Sequence, residues 1–343
     1  GAAWADGHRA GLGSLDALGY RAWWDLPALP KLNLANPQVR AFLLDVAARW
    51  IHFGADGWRL DVPEEIADAS FWSDLRRRVR SANPEAYLVG EVWHVAPEWV
   101  GAGRFDGLMN YPLAWAILGY AGAGRLDPTV TAEHGQLVAN LRPLDGAGFG
   151  ARVLELLAAY HPSGAASHLN LVGSHDLPRV RTVCGEDEAA VRLAMLLLLT
   201  LPGAPCIYYG DEVGLAGHGD PDCRGAFPWA EASWNTGLRE LVREAIALRT
   251  GHPALRGADV ALLAARDGAC AFQRGNGSGR LVVAVNAGER AANLLVPALA
   301  PAGLLATDPD TRRARVEPDP ATGLVRLSLP PRTGGVWRPA TGD

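Results

Sequence analysis

The apolar positions of residues 36–53 recur at helical spacing, and a strand-like pattern follows them directly. Asn36 offers a side chain that can cap a helix, Pro37 suits a first helical turn, and Gly54 ends the apolar repeat. The next stretch, "GADGWRLDV" (54–62), is short and largely apolar, which indicates a buried strand. The pattern therefore predicts a helix followed at once by a strand.

The same alternation of helix and strand recurs along the chain as far as residue 210. Further helices are predicted over 70–81, around 113–120, over 151–160 and over 187–200. The strands predicted with them lie at 86–93, 105–110, 168–173 and 206–210. Strands that alternate with helices pair in parallel through helical crossovers, so the predicted class is α/β with five parallel strands.

A different pattern begins after an amphipathic helix predicted over 238–256. Two strands flank a turn that contains Asn-Gly within 269–288, and apolar and polar residues alternate over 324–331. Both features are typical of antiparallel pairing. We therefore expect an α/β domain over 1–256 and a small antiparallel β domain over 257–343.

The composition indicates a folded globular chain and argues against nucleic acid or membrane as a partner. Of 343 residues, 49% are hydrophobic and 20% charged, which is enough apolar surface for a large core. The formal net charge of -5 is spread along the chain without a Lys/Arg block or a basic stripe. The longest apolar stretch, 193–210, is interrupted by Thr200 and two prolines, so it predicts a buried helix and strand instead of a membrane span.

The cysteines do not have a metal-binding spacing. They make no CxxC or CxxH unit, which favours reduced thiols over a zinc site. They are Cys184, Cys206, Cys223 and Cys270. A disulfide stays an open alternative. We expect no metal among the site residues, and the unpaired-looking cysteines together with the lack of an exporting signal favour a cytoplasmic compartment.

Arg59 and Asp61 introduce charge into the first predicted strand. Side chains alternate faces along a strand, so these two point one way while Trp58 and Leu60 point the other. The charged face must therefore meet something polar.

Three of the predicted strands lead into an acidic residue. Asp61 closes "GWRLD", Glu91 closes "YLVGE" and Asp176 follows "LNLVGSHD", each at the carboxyl end, where ligands bind in parallel α/β folds. Any one of these carboxylates alone is better explained as a helix cap or an arginine partner. Three together favour a functional site.

Carboxylates that converge from different strands suit glycoside hydrolysis, in which one is the nucleophile and another donates a proton to the leaving oxygen. Arg59 beside Asp61 is expected to lower the pKa of that carboxyl and keep it ionised, as a nucleophile requires. The apolar neighbours of Glu91 are compatible with a raised pKa and therefore with a proton donor. Trp93, two residues after Glu91, has a flat apolar ring that can stack on the face of a sugar.

Three motifs, in the correct order, resemble conserved regions of glycoside hydrolase family 13, the α-amylase family. "DGWRLDV", "LVGEVW" and "LVGSHD" resemble its second, third and fourth regions. Other segments resemble the neopullulanase, cyclomaltodextrinase and maltogenic amylase branch: "LPALPKLNLANPQVR" (26–40), "FDGLMNYPL" (105–113), "GAPCIYYGDEVGL" (203–215) and "GDPDCRGAFPW" (219–229). The first conserved region of the family has no counterpart here, and Pro63 stands where alanine is common.

The resemblance implies a role for each acidic residue. It makes Asp61 the nucleophile, Glu91 the general acid and base, and Asp176 the residue that grips the distorted sugar. It also implies substrate-binding roles for Arg59, His175, Lys31, Asn33 and Glu65. For Lys31 the alternative reading is a solvated surface charge.

The fold implied by the resemblance is a (β/α)8 TIM barrel of which about the last five strands are visible, followed by a C-terminal antiparallel β-sandwich. Residues 1–34, of which 1–20 have the composition of a loop, would then end the excursion that precedes the third helix. The resemblance thus implies that this sequence begins partway through the barrel.

The implied function is retaining hydrolysis of α-1,4-glucosidic bonds in cyclomaltodextrins, pullulan, starch or maltooligosaccharides, with transfer to sugar acceptors. The chemistry requires no cofactor, and both calcium binding and a homo-oligomer stay open. The alternative from another class is an inactive truncated member that binds glucan or pairs with a second polypeptide.

Overall fold

The computed structural model describes residues 13–101, 103–297, 299–307 and 309–339. The described residues divide into two compact units, one within the ranges 1–91 and 101–105 and the other within 92–100 and 106–343. Within the described ranges, no helix is both long and apolar enough to cross a membrane. The predicted domain boundary after residue 256 stays a prediction.

The first unit contains helices and two strands, and from residue 37 onward their order is the predicted one. Its elements are α1 (Ser14–Leu18), α2 (Pro37–Phe53), β1 (Gly57–Leu60), α3 (Ala69–Ala82) and β2 (Tyr87–Gly90). The predicted opening loop is wrong at α1, because Gly19 adopts a left-handed conformation (φ 79°) and its N–H closes a helical turn on Leu15. Residues 1–12 of that loop lie outside the described residues.

Local sequence signals set the ends of α2 as predicted. The side chain of Asn36 accepts a hydrogen bond from the Gln38 N–H, and Pro37 occupies the first turn. Gly54 ends the helix at a φ of 119°, where a residue with a side chain would be strained. The handover from helix to strand is therefore confirmed.

β1 and β2 pair in parallel, with Gly57 opposite Tyr87 and Leu60 opposite Gly90. A side chain at position 57 would lie 2.0 Å from the Tyr87 carbonyl oxygen, so the close approach of the strands requires glycine there. On the face of β1 opposite the charges, the Trp58 indole donates to the Ala47 carbonyl at 3.0 Å. The pairing places the carboxyl ends of both strands side by side.

The second unit contributes three further short parallel strands. They are β3 (Gly107–Leu108), β4 (Leu169–Asn170) and β5 (Ala204–Pro205). Met109 bridges Leu169 in parallel, and β4 pairs in parallel with β5.

The strand predicted over 206–210 is wrong, because the strand is Ala204–Pro205. Residues 206–210 are apolar for another reason. Tyr208 and Tyr209 pack their rings against the guanidinium of Arg179, whose carbon lies 4.2 and 4.5 Å from the two ring centres.

The second unit also contains helices. They are α4 (Tyr111–Ala121), α5 (Pro128–Glu133), α6 (Gly135–Asn140), α7 (Gly146–Ala158), α8 (Pro162–Ser167), α9 (Val180–Val183), α10 (Glu188–Thr200) and α11 (Thr236–Gly251). The helix predicted over 238–256 ends earlier than expected, at Gly251. Pro253 disfavours a helical conformation at His252, which is extended (φ -123°, ψ 107°), and a 3₁₀ turn follows.

Two antiparallel sheets follow α11. Their strands are β6 (Val260–Arg266), β7 (Ala269–Arg274), β8 (Leu281–Asn286), β9 (Ala292–Val296), β10 (Leu299–Thr307), β11 (Arg315–Asp319), β12 (Leu324–Leu329) and β13 (Thr333–Pro339). One sheet has the order β10-β13-β8-β7-β6 and the other β11-β12-β9. Val282 and Trp337 of the first sheet share an apolar core with Leu294 and Leu327 of the second, which is the packing of a β-sandwich.

A buried histidine of the second unit makes the stability of the folded chain depend on pH. His168 precedes β4, is 3% exposed, and accepts a hydrogen bond at Nδ1 from the Leu108 N–H at 2.9 Å. Burial lowers the pKa of His168 from 6.5 to about 4. Between these values the unfolded chain binds a proton that the folded chain does not, so stability is lost as the pH falls through this window.

We expect the wild-type chain to lose about 2 kcal/mol more unfolding free energy between pH 7 and pH 5 than the variant His168→Asn. Asparagine keeps an acceptor near the Nδ1 position and does not titrate. Urea unfolding at the two pH values measures the difference. Equal losses in the two proteins would show that His168 does not titrate as stated.

Candidate active site

Arg59 connects two of the three predicted carboxylates. Because Leu60 of β1 lies opposite Gly90 of β2, Asp61 and Glu91 leave the same edge of the sheet. The Arg59 Nη1 atom lies 2.5 Å from Asp61 Oδ2, and Nη2 lies 2.8 Å from Glu91 Oε1. One planar guanidinium therefore holds both acids and fixes their relative position.

The two acids differ sharply in exposure. The Asp61 side chain is 72% exposed, whereas that of Glu91 is 4% exposed. The other Glu91 oxygen, Oε2, accepts a hydrogen bond from the Val62 N–H at 3.1 Å. Val62 achieves this with a left-handed backbone (φ 31°, ψ 60°), which is strained for a β-branched residue. The raised pKa predicted for Glu91 stays a prediction.

Two of the predicted substrate-binding residues pair with each other. The Lys31 ammonium lies 2.8 Å from Glu65 Oε2 and donates to the Glu65 carbonyl at 2.7 Å. Glu65 ends the 3₁₀ turn Pro63–Glu65 that follows Asp61. Lys31 is therefore a half-buried, partnered cation instead of a solvated charge. Asn33 is exposed, and its side chain accepts from the Ala35 N–H at 3.0 Å.

Asp176 belongs to the second unit, beyond the carboxyl end of β4. Its Oδ2 lies 3.1 Å from Nε2 of the adjacent His175, and its Oδ1 lies 3.5 Å from Nη2 of Arg224. Its backbone N–H donates to the Ser174 hydroxyl at 3.2 Å. Two groups capable of positive charge thus face the Asp176 carboxylate.

Backbone contacts from distant segments also hold this loop. The His175 carbonyl accepts from Arg224 Nε at 3.0 Å, and the Asp176 carbonyl lies 3.0 Å from Nε2 of His134. A carbonyl only accepts, so the His134 Nε2 carries the proton. Sequence reasoning missed both residues, because 219–229 gave a family likeness without a role for Arg224 and His134 lies in no motif.

A family model described as the alpha amylase catalytic domain matches residues 19–247. The chain belongs to the α-amylase family. The match includes the Arg59, Asp61 and Glu91 cluster and the Asp176 loop.

Relatives of this α-amylase-family chain include curated proteins and solved structures. It is 40% identical over 275 residues to a cyclomaltodextrinase of Geobacillus thermopakistaniensis, covering 79% of this chain and 44% of that protein. It is 42% identical over 224 residues to neopullulanase 2 of Thermoactinomyces vulgaris, covering 65% of this chain and 35% of that protein. The debranching enzyme of Nostoc punctiforme matches with a TM-score of 0.84 and 39% identity, covering 93% of this chain and 65% of that one. The chain thus spans less than half the length of the two curated relatives.

Family membership confirms the predicted fold class. The catalytic fold of the family is the (β/α)8 barrel, and the antiparallel sheets form the β-sandwich.

One face of the Trp93 indole packs against another aromatic ring of the protein. The indole stacks on the Tyr111 ring at a centroid distance of 3.6 Å and an interplanar angle of 8°. Tyr111 is fully buried at the start of α4. One face of the indole is therefore covered by a protein ring.

Asp211, which follows β5, has no role in the sequence-based prediction. It begins the 3₁₀ turn Asp211–Val213, is fully buried, and lies 3.3 Å from Nη1 of the equally buried Arg179. Burial raises the pKa of Asp211 to about 7. No local signal distinguishes this aspartate from the exposed acids around it.

Within the described ranges, no three His, Cys, Asp or Glu side chains cluster as a metal site would require. The cysteines are free thiols, and Cys184, Cys223 and Cys270 are buried. The possibility of calcium raised by the sequence stays open.

Proposed function

We propose that this chain is a retaining α-glucan hydrolase of the cyclomaltodextrinase and neopullulanase type. The observation that most directly supports this proposal is the pair of carboxylates, Asp61 and Glu91, which one guanidinium contacts at the ends of adjacent parallel strands. A guanidinium spans only a few ångströms, which suits the short separation, roughly 5 Å, of a retaining pair. The contrast between an open and a buried carboxylate suits a nucleophile and a proton donor.

The relatives' names support the substrate class. A cyclomaltodextrinase, a neopullulanase and a debranching enzyme all act on α-glucans, so we propose cyclomaltodextrins, pullulan, starch and maltooligosaccharides as substrates. The bond proposed to break is α-1,4-glucosidic.

In the first step, an Asp61 carboxylate oxygen attacks the anomeric carbon and forms a glycosyl ester. The bond from that carbon to the leaving oxygen breaks, and Glu91 transfers its proton to that oxygen. The Arg59 guanidinium positions the Asp61 carboxylate for the attack, and the Val62 N–H orients the Glu91 carboxyl.

In the second step, Glu91 takes a proton from water, and the water oxygen attacks the anomeric carbon while the ester bond to Asp61 breaks. Two inversions return the original α configuration. A sugar hydroxyl in place of water gives transglycosylation by the same path.

The remaining predicted site residues receive binding roles in this proposal. Asp176 and His175 hydrogen-bond to sugar hydroxyls, which strengthens as the ring distorts toward the transition state. The Lys31 and Glu65 pair shapes the cleft with Asn33, and Trp93 stacks on a glucose ring.

We propose that the chemistry needs no cofactor, because the two carboxylates carry every proton and electron-pair transfer described. We also propose a reducing, cytoplasmic compartment, which the free thiols support.

Arg59→Lys is expected to lower kcat about 10- to 100-fold, since one ammonium cannot contact both carboxylates as the planar fork does. The matched control is Arg40→Lys. Arg40 also bridges two carboxylates, Asp68 and Asp74, at 2.7 Å each, on α3 and its N-cap. Kinetics on maltotriose should show a loss for the first variant alone. Equal kcat values for both variants would remove Arg59 from the proposal.

The direct test of the proposed function is chromatography of products after the chain is incubated with cyclomaltodextrin, pullulan and starch. Release of glucose, maltose or panose supports hydrolysis. A folded chain that binds glucan in affinity electrophoresis and releases no sugar would overturn hydrolysis in favour of a glucan-binding role. Release from one polymer alone would narrow the substrate class.

A further inference from the structure

The proposed mechanism assigns no role to the ion pair of Arg179 with Asp211, which is fully buried. Both side chains have 0% exposure. Three polar atoms of the pair, Arg179 Nε and Nη2 and Asp211 Oδ2, are buried without a hydrogen-bond partner in the described part of the chain. A buried pair with unsatisfied atoms is a poor source of stability. Its position in the fold suggests a different purpose.

Asp211 supports the loop that carries Asp176. A β-carbon placed on Gly173 would lie 2.5 Å from Asp211 Oδ2, so the carboxylate rests directly against the Gly173 backbone. Gly173 lies three residues before Asp176, where the chain leaves β4.

Arg179 anchors the other end of the same loop, three residues after Asp176. Its guanidinium packs on the rings of Tyr208 and Tyr209 and donates to the Tyr209 carbonyl. Its backbone N–H donates to the Gly217 carbonyl at 2.9 Å. Asp211 therefore contacts Gly173 at the start of segment 173–179, and Arg179 fixes its end.

We propose that Arg179 and Asp211 are positioning residues that fix segment 173–179 so that His175 and Asp176 keep the orientation needed for the sugar. The proposal rests on the proposed function. Displacing a group by about 1 Å can lower a rate on the order of 100-fold, so modest relaxation of this segment has a large effect.

The test compares Asp211→Asn, Asp211→Leu and Gly173→Ala with the wild type. Asparagine keeps the shape and an acceptor for Arg179, so its kcat should stay within a few-fold of wild type. Leucine removes the acceptor, and the alanine methyl meets Oδ2, so each should lower kcat about 10- to 100-fold with a smaller change in KM. A matched control is Asp187→Leu, which breaks the pair of Asp187 with Arg332 (3.0 Å) and should leave kcat unchanged.

A double variant tests the contact itself. In Gly173→Ala with Asp211→Ala, the new methyl no longer meets a carboxylate, so the loss should equal that of Asp211→Ala alone instead of the product of the two losses. Multiplying losses would overturn the contact. Lower melting temperatures with a wild-type kcat would show a structural role only and overturn the proposal.

Hydrogen exchange separates this proposal from the proposed function. Peptides that cover 173–179 should exchange at least about 10-fold faster in Asp211→Leu than in wild type, while β8 is unchanged. This result is expected even if the wild-type chain hydrolyses no glucan, in which case the function fails and the positioning survives. Unchanged exchange over 173–179 would overturn the positioning of the segment.

Discussion

The variant Asp61→Asn is expected to lower kcat on maltooligosaccharides at least about 10⁴-fold. The amide has nearly the shape of the carboxylate and still offers an oxygen to Arg59 Nη1, so the site geometry survives. It lacks the charge and the nucleophilic oxygen needed to form the glycosyl ester. Initial rates of sugar release, measured by anion-exchange chromatography, give the loss.

The matched control for Asp61→Asn is Asp56→Asn, at the opposite end of the same strand region. Asp56 is exposed, and its backbone carbonyl, which the substitution keeps, accepts from the Tyr87 N–H at 2.9 Å. This variant should keep the wild-type kcat. A loss below about 10-fold in Asp61→Asn would remove Asp61 as the nucleophile.

Glu91→Gln is expected to lower kcat about 10²- to 10⁴-fold on maltotriose, whose leaving sugar needs a proton. The substitution keeps an acceptor for the Val62 N–H but removes the transferable proton. On 4-nitrophenyl α-maltoside, whose leaving group departs without protonation, formation of the ester should be nearly unaffected. Pre-steady-state release of nitrophenol on the two proteins measures this step.

The dependence on the leaving group distinguishes an acid catalyst from a merely structural glutamate. A structural role predicts equal losses on the natural and the activated substrate. Equal losses would therefore contradict the assignment of Glu91 even if the variant were inactive. The Asp61→Asn protein serves as the comparison, because its loss should not depend on the leaving group.

The strand ends could be predicted because they follow from local rules. Alternation of faces sets Arg59 apart from Trp58, and helix-strand alternation implies parallel pairing, which brings Asp61 and Glu91 to one edge. Of the two contacts that Arg59 makes with carboxylates, only one could be predicted. The sequence indicated its partnership with Asp61, whereas the contact with Glu91 depends on the register between β1 and β2.

The support beneath Asp176 could not be predicted in the same way. Arg179 and Asp211 are 32 residues apart, and His134 and Asp176 are 42 residues apart. No periodicity links such positions, and aspartate and arginine are ordinarily exposed. Their burial is a property of the packed fold.

Two of the three errors of element assignment, the strand over 206–210 and the end of α11, have a related cause. An apolar run such as 206–210 has the composition of a strand, yet its tyrosines cover a buried cation. The end of α11 was missed because the apolar repeat continues past Pro253, whose effect on the preceding residue outweighs the pattern.

Trapping the covalent intermediate tests the central assignment most directly. The wild-type chain is incubated with 5-fluoro-α-maltosyl fluoride, whose ring fluorine slows hydrolysis of the ester by destabilising the oxocarbenium-like transition state. Peptide mass spectrometry should then find one maltosyl label, on Asp61, and none in Asp61→Asn. A label on Glu91 or Asp176, or a folded wild-type chain that stays unlabelled, would contradict the account.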